Sequence, residues 1–138
     1  QVNEPKLNDT KNDLQLIRYA DILLMYAEVL NEINNGSTQA ALDAINQVRA
    51  RSRKTDSALP DLNSMGYSSF KDAILEERRK EFVWEGHRWF DLVRHGKLVE
   101  KVTTAKPRLA GISSKHNLFP VPQRERDINP NLNQNDGY

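Results

Sequence analysis

The 138-residue sequence contains no cysteine, which excludes a disulfide framework, a thiolate metal site and a cysteine nucleophile. It also lacks any apolar run near the ~18 residues that a membrane-spanning helix needs. An excess of one charge is missing too: 20 basic residues against 19 acidic ones leave a formal net charge of +1. So even a balance gives no electrostatic case for a nucleic acid or an anionic membrane as partner. No P-loop, no G-x-G-x-x-G and no G-x-S-x-G occurs, so the common phosphate, dinucleotide and serine-hydrolase signatures are absent. The start, Gln1-Val-Asn-Glu-Pro5, offers neither a basic segment nor the apolar core of a signal peptide. It reads as the start of an excised piece or a processed product, and composition leaves the compartment open.

What is present is a globular composition, 38% hydrophobic and 28% charged, fitting one domain or part of one. The chain is organised around Phe70–Arg94. Phe70, Ile74, Glu77/Arg78, Glu81, Glu85, Arg88/Trp89 and Leu92 recur at three- and four-residue steps, which is one face of a helix. The spacing predicts a long helix over 68–96, bent near Gly86, with Ser68 or Ser69 as N-cap and Gly96 as C-cap. Trp84 and Trp89, flanked by Phe82 and Phe90, read as core packing. The charges on this face admit three readings. They are a solvated stripe, or arginine–carboxylate pairs fixing the register of neighbouring helices, or a site in which Glu77, Glu81 and Glu85 serve as glycosidase carboxylates or metal ligands. Charges set among so many aromatics favour the structural pairs.

Taken in order, residues 1–13 are polar and read as an extended lead-in. Leu16, Ile17, Ala20, Leu23, Leu24, Ala27, Leu30 and Ile33 then keep a helical period, broad enough to require burial on more than one side. Asn34-Asn-Gly36 ends that helix, and Ser37 or Thr38 caps a second one with Ala40, Ala41, Ala44, Ile45, Val48 and Arg51/Ser52 inward. Residues 14–53 thus form a helical hairpin of tetratricopeptide-like composition, with no second copy in the chain. Residues 53–66 read as a polar loop. From 103 to 138 the period fails among prolines and asparagines, giving an irregular wrapping segment anchored by Leu118-Phe-Pro-Val-Pro122. One helical turn is expected at Gln123–Ile128. The fold class is all-α.

Four stretches together resemble the C-terminal portion of the SusD/RagB family of outer-membrane nutrient-binding lipoproteins. They are Arg18–Glu32, Ala44–Arg51, Ile74–Arg94 and Phe119–Tyr138, in the family's order. The resemblance covers about residues 14–138, so the whole of 1–138 is read as the C-terminal part of such a domain. It implies a surface-exposed protein of the outer membrane that binds a glycan or other nutrient without chemistry. Delivery would be to a SusC-like TonB-dependent transporter, and the lipid anchor would lie outside this chain. It implies no cofactor and no catalytic residue. It also implies structural pairing among Arg18, Glu77, Arg78, Glu81, Asp91 and Arg94, and it assigns no ligand-binding residue.

Other constellations are thinner. His87 and Asp91 stand at i,i+4 but lack a third ligand, so no metal is expected. His95 and His116 have no serine or cysteine motif beside them. Tyr67, expected on a loop, is the candidate for stacking against a sugar ring. Two rivals to glycan capture remain: a protein-interaction helical-repeat scaffold, and a glycoside hydrolase fragment using two of Glu77, Glu81 and Glu85 across a cleft of roughly 5–9 Å.

Overall fold

The phase of the first helix decides what the following segments can pack against. The computed structural model of the chain describes residues 16–53, 58–108 and 111–138. The lead-in expected over 1–13 lies outside the described residues, as do residues 14 and 15 of the expected hairpin. Among the described residues all regular structure is helical: α1 (Tyr19–Asn34), α2 (Gln39–Ser52), α3 (Tyr67–Glu81), α4 (His87–Arg94), α5 (Leu98–Ala105) and α6 (Gln123–Ile128), with a 3-10 turn at Ser114–Asn117. A lone antiparallel bridge joins Gly36 to Gly66. Two units divide within α3, one ending at Arg78 and the other beginning at Arg79.

In the first unit, α1 stops at Asn35, which is left-handed (φ 51°) and gives its amide to the Asn31 carbonyl. Asparagine tolerates that conformation better than most side chains. Thr38, of the two expected caps, starts α2 by accepting the Ala41 amide on its hydroxyl at 3.2 Å. α1 and α2 then pack as a hairpin. Leu24 and Ala27 of α1, Ala41, Ala44, Ile45 and Val48 of α2, and Phe70, Ile74 and Leu75 of α3 are buried. The small alanines permit close approach. Ala40, Arg51 and Ser52, expected inward, are exposed.

α1 is turned so that its inner stripe mixes Leu24 and Ala27 with Asp21, Glu28 and Asn31, all buried. Ile22, Met25, Tyr26, Val29 and Ile33 point outward instead and are exposed, as are Leu16 and Ile17 before the helix. Among the described residues, then, α1 is covered on one side. The broad burial read from its composition is not present there.

The polar loop before α3 hangs on α2. Arg49 donates from Nε and Nη2 to the Pro60 carbonyl at 3.1 and 2.7 Å. The Asn46 amide brackets Leu62, donating to its carbonyl (3.0 Å) and accepting its N–H (2.7 Å). Ser37 Oγ donates to the Met65 carbonyl and accepts the Met65 amide, both at 2.9 Å. Such capture satisfies backbone groups that the loop has no ladder to serve. α3 therefore starts at Tyr67, and the Gly66 carbonyl takes the first helical bond from Phe70 N at 2.9 Å. Ser68 and Ser69, expected as caps, fall inside the first turn.

The single helix expected over 68–96 is two helices. α3 ends at Glu81, five residues before the expected bend, and α4 begins at His87. Trp84 (φ 68°) and Gly86 (φ 82°) both lie in the left-handed region, and two such residues close together cannot continue a right-handed helix. Phe82 is buried, with its ring 4.9 Å from that of His87. α4 closes as a Schellman motif: Gly96 (φ 64°) gives its amide to the Val93 carbonyl (3.0 Å), and Lys97 gives its own to Leu92 (2.8 Å). Both bonds satisfy orphan carbonyls of the last turn.

The segment after α5 is irregular apart from the 3-10 turn and α6. Side chains of 134–138 bind the main chain of 118–121. The Gln134 amide brackets Val121 at 2.7 and 3.0 Å, Asn135 Nδ2 donates to the Phe119 carbonyl (2.7 Å), and Tyr138 Oη donates to the Leu118 carbonyl (3.0 Å). Phe119 stacks on Trp89 of α4, with centroids 5.8 Å apart.

Candidate functional site

The charged residues singled out in the sequence are placed as follows. Glu77 faces α2, where Arg49 Nη1 reaches its Oε2 at 2.6 Å, and both side chains are buried. Arg78, next along α3, turns to α1 and holds Asp21 Oδ1 at 2.6 Å. Consecutive residues of α3 thus carry opposite charges to two different helices, which fixes its rotation and its height. Buried pairs of this kind offset their desolvation only with close geometry and further hydrogen bonds, and Arg49 has them through Pro60. Asp91 is buried on α4, and Arg94 Nη2 lies 3.5 Å from its Oδ1. Arg18 occupies the N-cap position of α1 without a side-chain capping bond, and Glu81 is the last residue of α3. Asp21 and Arg49 were not singled out in the sequence. Their signal was an acid within an apolar helix and an arginine beside the buried Val48.

Glu77, Glu81 and Glu85 do not share one helical face as expected, because α3 stops at Glu81 and Glu85 stands in the interruption. Glu77 is held by Arg49 within the packing of α2 and α3. Among the described residues, no three histidine, aspartate or glutamate side chains are grouped to hold a metal. No described helix is long and apolar enough to cross a membrane.

Tyr67 is the first residue of α3, not a loop residue, and is half-buried. Its hydroxyl donates to Glu32 Oε2 (2.7 Å) and accepts from Lys71 Nζ (3.1 Å), while Lys71 also reaches Glu32 Oε1 (2.7 Å). The hydrogen bond to Glu32, then that to Tyr67, raises the Lys71 pKa above its ordinary 10.5. The Lys71 ammonium stands 5.3 Å from the Tyr67 ring centroid. The phenol thus ties α3 to α1, with its hydroxyl engaged on both sides.

The tryptophans differ from their expected core role. Trp84 is 99% exposed, because it sits in the interruption between helices instead of on a buried face. Trp89 is half-buried against Phe119. Both line a cleft of about 500 Å³ together with Arg79, Phe82, Val83, Gly86 and Arg88. A second depression, about 660 Å³, lies along Lys115, Asn117 and Gln134–Gly137. There the amides of Gln134 and Asn135 and the Lys115 ammonium bind the chain's own carbonyls, which spends polar groups a ligand would need. The Trp84 cleft is the better candidate, since it offers aromatic faces with guanidinium groups at its edge.

Residues 2–138 match the model of the SusD family. The chain belongs to that family. SusD-like protein P38 of Formosa agariphila is 37% identical over 138 residues, 97% of this chain but 26% of the relative. A crystallised SusD homologue of Bacteroides thetaiotaomicron superposes with a TM-score of 0.76 at 38% identity, covering 89% of this chain and 26% of the other. A laminarin-binding SusD-like protein matches with a TM-score of 0.66 at 35% identity, over 89% of this chain and 23% of that one. The chain spans about a quarter of the length of these relatives. The helical fold is therefore that of the corresponding part of SusD structures.

Proposed function

We propose that this chain serves a protein that captures glycans at the outer-membrane surface, binds them without chemistry and hands them to a SusC-like TonB-dependent transporter. The observation that carries this is the likeness to a laminarin-binding SusD-like protein, at 35% identity over 89% of the chain. The tying of Glu77 to Arg49 supports a binding role over a hydrolytic one. A lipid anchor would hold the protein at the membrane, and no cofactor enters the reading. The structural role of the Arg78–Asp21 and Arg49–Glu77 pairs would be to keep the scaffold in register while ligand contacts lie elsewhere. Affinity electrophoresis of the chain against laminarin, starch and other polysaccharides tests it: retardation by at least one glucan is expected, and passage unretarded through all of them overturns it for these residues. Co-purification with a transporter from outer membranes tests delivery.

A protein-interaction scaffold is the second reading, favoured by the outward apolar face Ile22, Met25, Tyr26, Val29 and Ile33 of α1. A chain that bound a protein partner and no glycan would select it.

A further inference from the structure

Resting on the glycan-capture reading, we propose that the Trp84 cleft is a saccharide-stacking site, taking a pyranose ring of a glucan against the Trp84 indole. A pyranose whose hydroxyls are equatorial presents its axial C–H bonds as an apolar face, and a flat indole is the side chain best matched to it. Trp84 has the required exposure, 99% of its surface. Within these residues almost none of the indole is covered, so a sugar ring laid on it would bury apolar area.

Its backbone agrees. At φ 68° Trp84 holds a left-handed conformation that large side chains rarely adopt, and strain of that sort is tolerated where the surrounding structure imposes it. The interruption between α3 and α4 does so, with Phe82 buried before it and Gly86 left-handed after it. The second wall is Trp89, fixed by its stack on Phe119 at 5.8 Å. Arg79 and Arg88 stand in the same cleft. A guanidinium carries five N–H donors, enough to meet sugar hydroxyls alongside other partners. About 500 Å³ is within the range of small-ligand sites and suits one or two sugar units.

The test uses the chain as it is, titrated calorimetrically with laminarin oligosaccharides beside Trp84→Gly and Trp84→Tyr. Glycine accepts the left-handed backbone, so W84G keeps or raises the thermal midpoint while it loses the platform. Affinity should fall about tenfold or more in W84G and be largely kept in W84Y. Equal binding by wild type and W84G would overturn the site and leave glycan capture standing. No binding by the wild-type chain would overturn both. Loss of binding in W84G together with a collapsed thermal transition also overturns the site, since Trp84 would then be holding the fold.

Discussion

Arg78 and Asp21 meet at 2.6 Å, 57 residues apart in sequence, with both side chains withdrawn from solvent. Nothing local brings them together. The bond exists only when α1 and α3 are packed, so it reports tertiary structure directly. Removing one partner leaves a buried charge, and Arg78→Ala or Asp21→Ala should cost roughly 3–5 kcal/mol. Replacing both with apolar residues of similar volume should recover most of that loss. Urea unfolding of the two single variants and the double variant gives the comparison; additive losses would contradict direct pairing.

Arg49 joins Glu77 and the Pro60 carbonyl through three nitrogens. Lysine has one terminal nitrogen and cannot reproduce that fork. Arg49→Lys should therefore loosen the loop at Pro60–Met65 more than it lowers helix content. Limited proteolysis should cut there faster, with the far-ultraviolet dichroism little changed. Unaltered protection across the loop would count against the clamp.

The raised pKa of Lys71 comes first from its hydrogen bond to Glu32, then from that to Tyr67. A folded-state pKa above the unfolded one adds stability that is fully present below the ordinary value of 10.5. It is lost as pH rises through the higher folded value. Glu32→Gln should bring the Lys71 titration, followed by nuclear magnetic resonance of its side chain, back toward the ordinary value. It should also flatten the stability loss in the alkaline range. A Lys71 titration that does not move would break the assignment.

At the other end of the pH scale, Glu100 is held below its ordinary 4.5, first by a hydrogen bond from Lys97. Its contribution is present above that value and fades as pH falls through the lowered one. The side chain is exposed to solvent, so salt should erase the difference. Carboxyl titration at low and high ionic strength measures this.

Gly96 closes α4 at φ 64°, and any Cβ there is strained. Gly96→Ala should destabilise by about 1 kcal/mol, seen as a lower thermal midpoint. A midpoint equal to wild type would mean the turn relaxes without cost.

Helix type and several ends were legible because their causes are local. Periodicity marked α1, α2 and α3, Thr38 announced α2, and Gly96 announced the end of α4. The partners of Glu77 and Arg78 were not legible, since Arg49 and Asp21 lie 28 and 57 residues away and no spacing rule spans such separations. The α3–α4 interruption was half visible. Gly86 signalled a bend, but the helix ends five residues earlier, and Trp84, flanked by Phe82 and Phe90 in what reads as one continuous helix, reads as core. Its exposure follows from a backbone angle that its side chain does not favour. α1 misled through its composition: so many apolar residues imply burial all round, yet the pairing of Asp21 and the burial of Asn31 set its rotation.

The three side chains of α2 and its entry that hold the loop, Ser37, Asn46 and Arg49, grip main-chain atoms of Met65, Leu62 and Pro60. Carbonyls and amides are common to nearly every residue type. The clamp therefore places little demand on which side chains stand at Leu62, Asn63 and Ser64. That stretch can drift in sequence, or be rewritten in a library, while its path stays where α2 puts it.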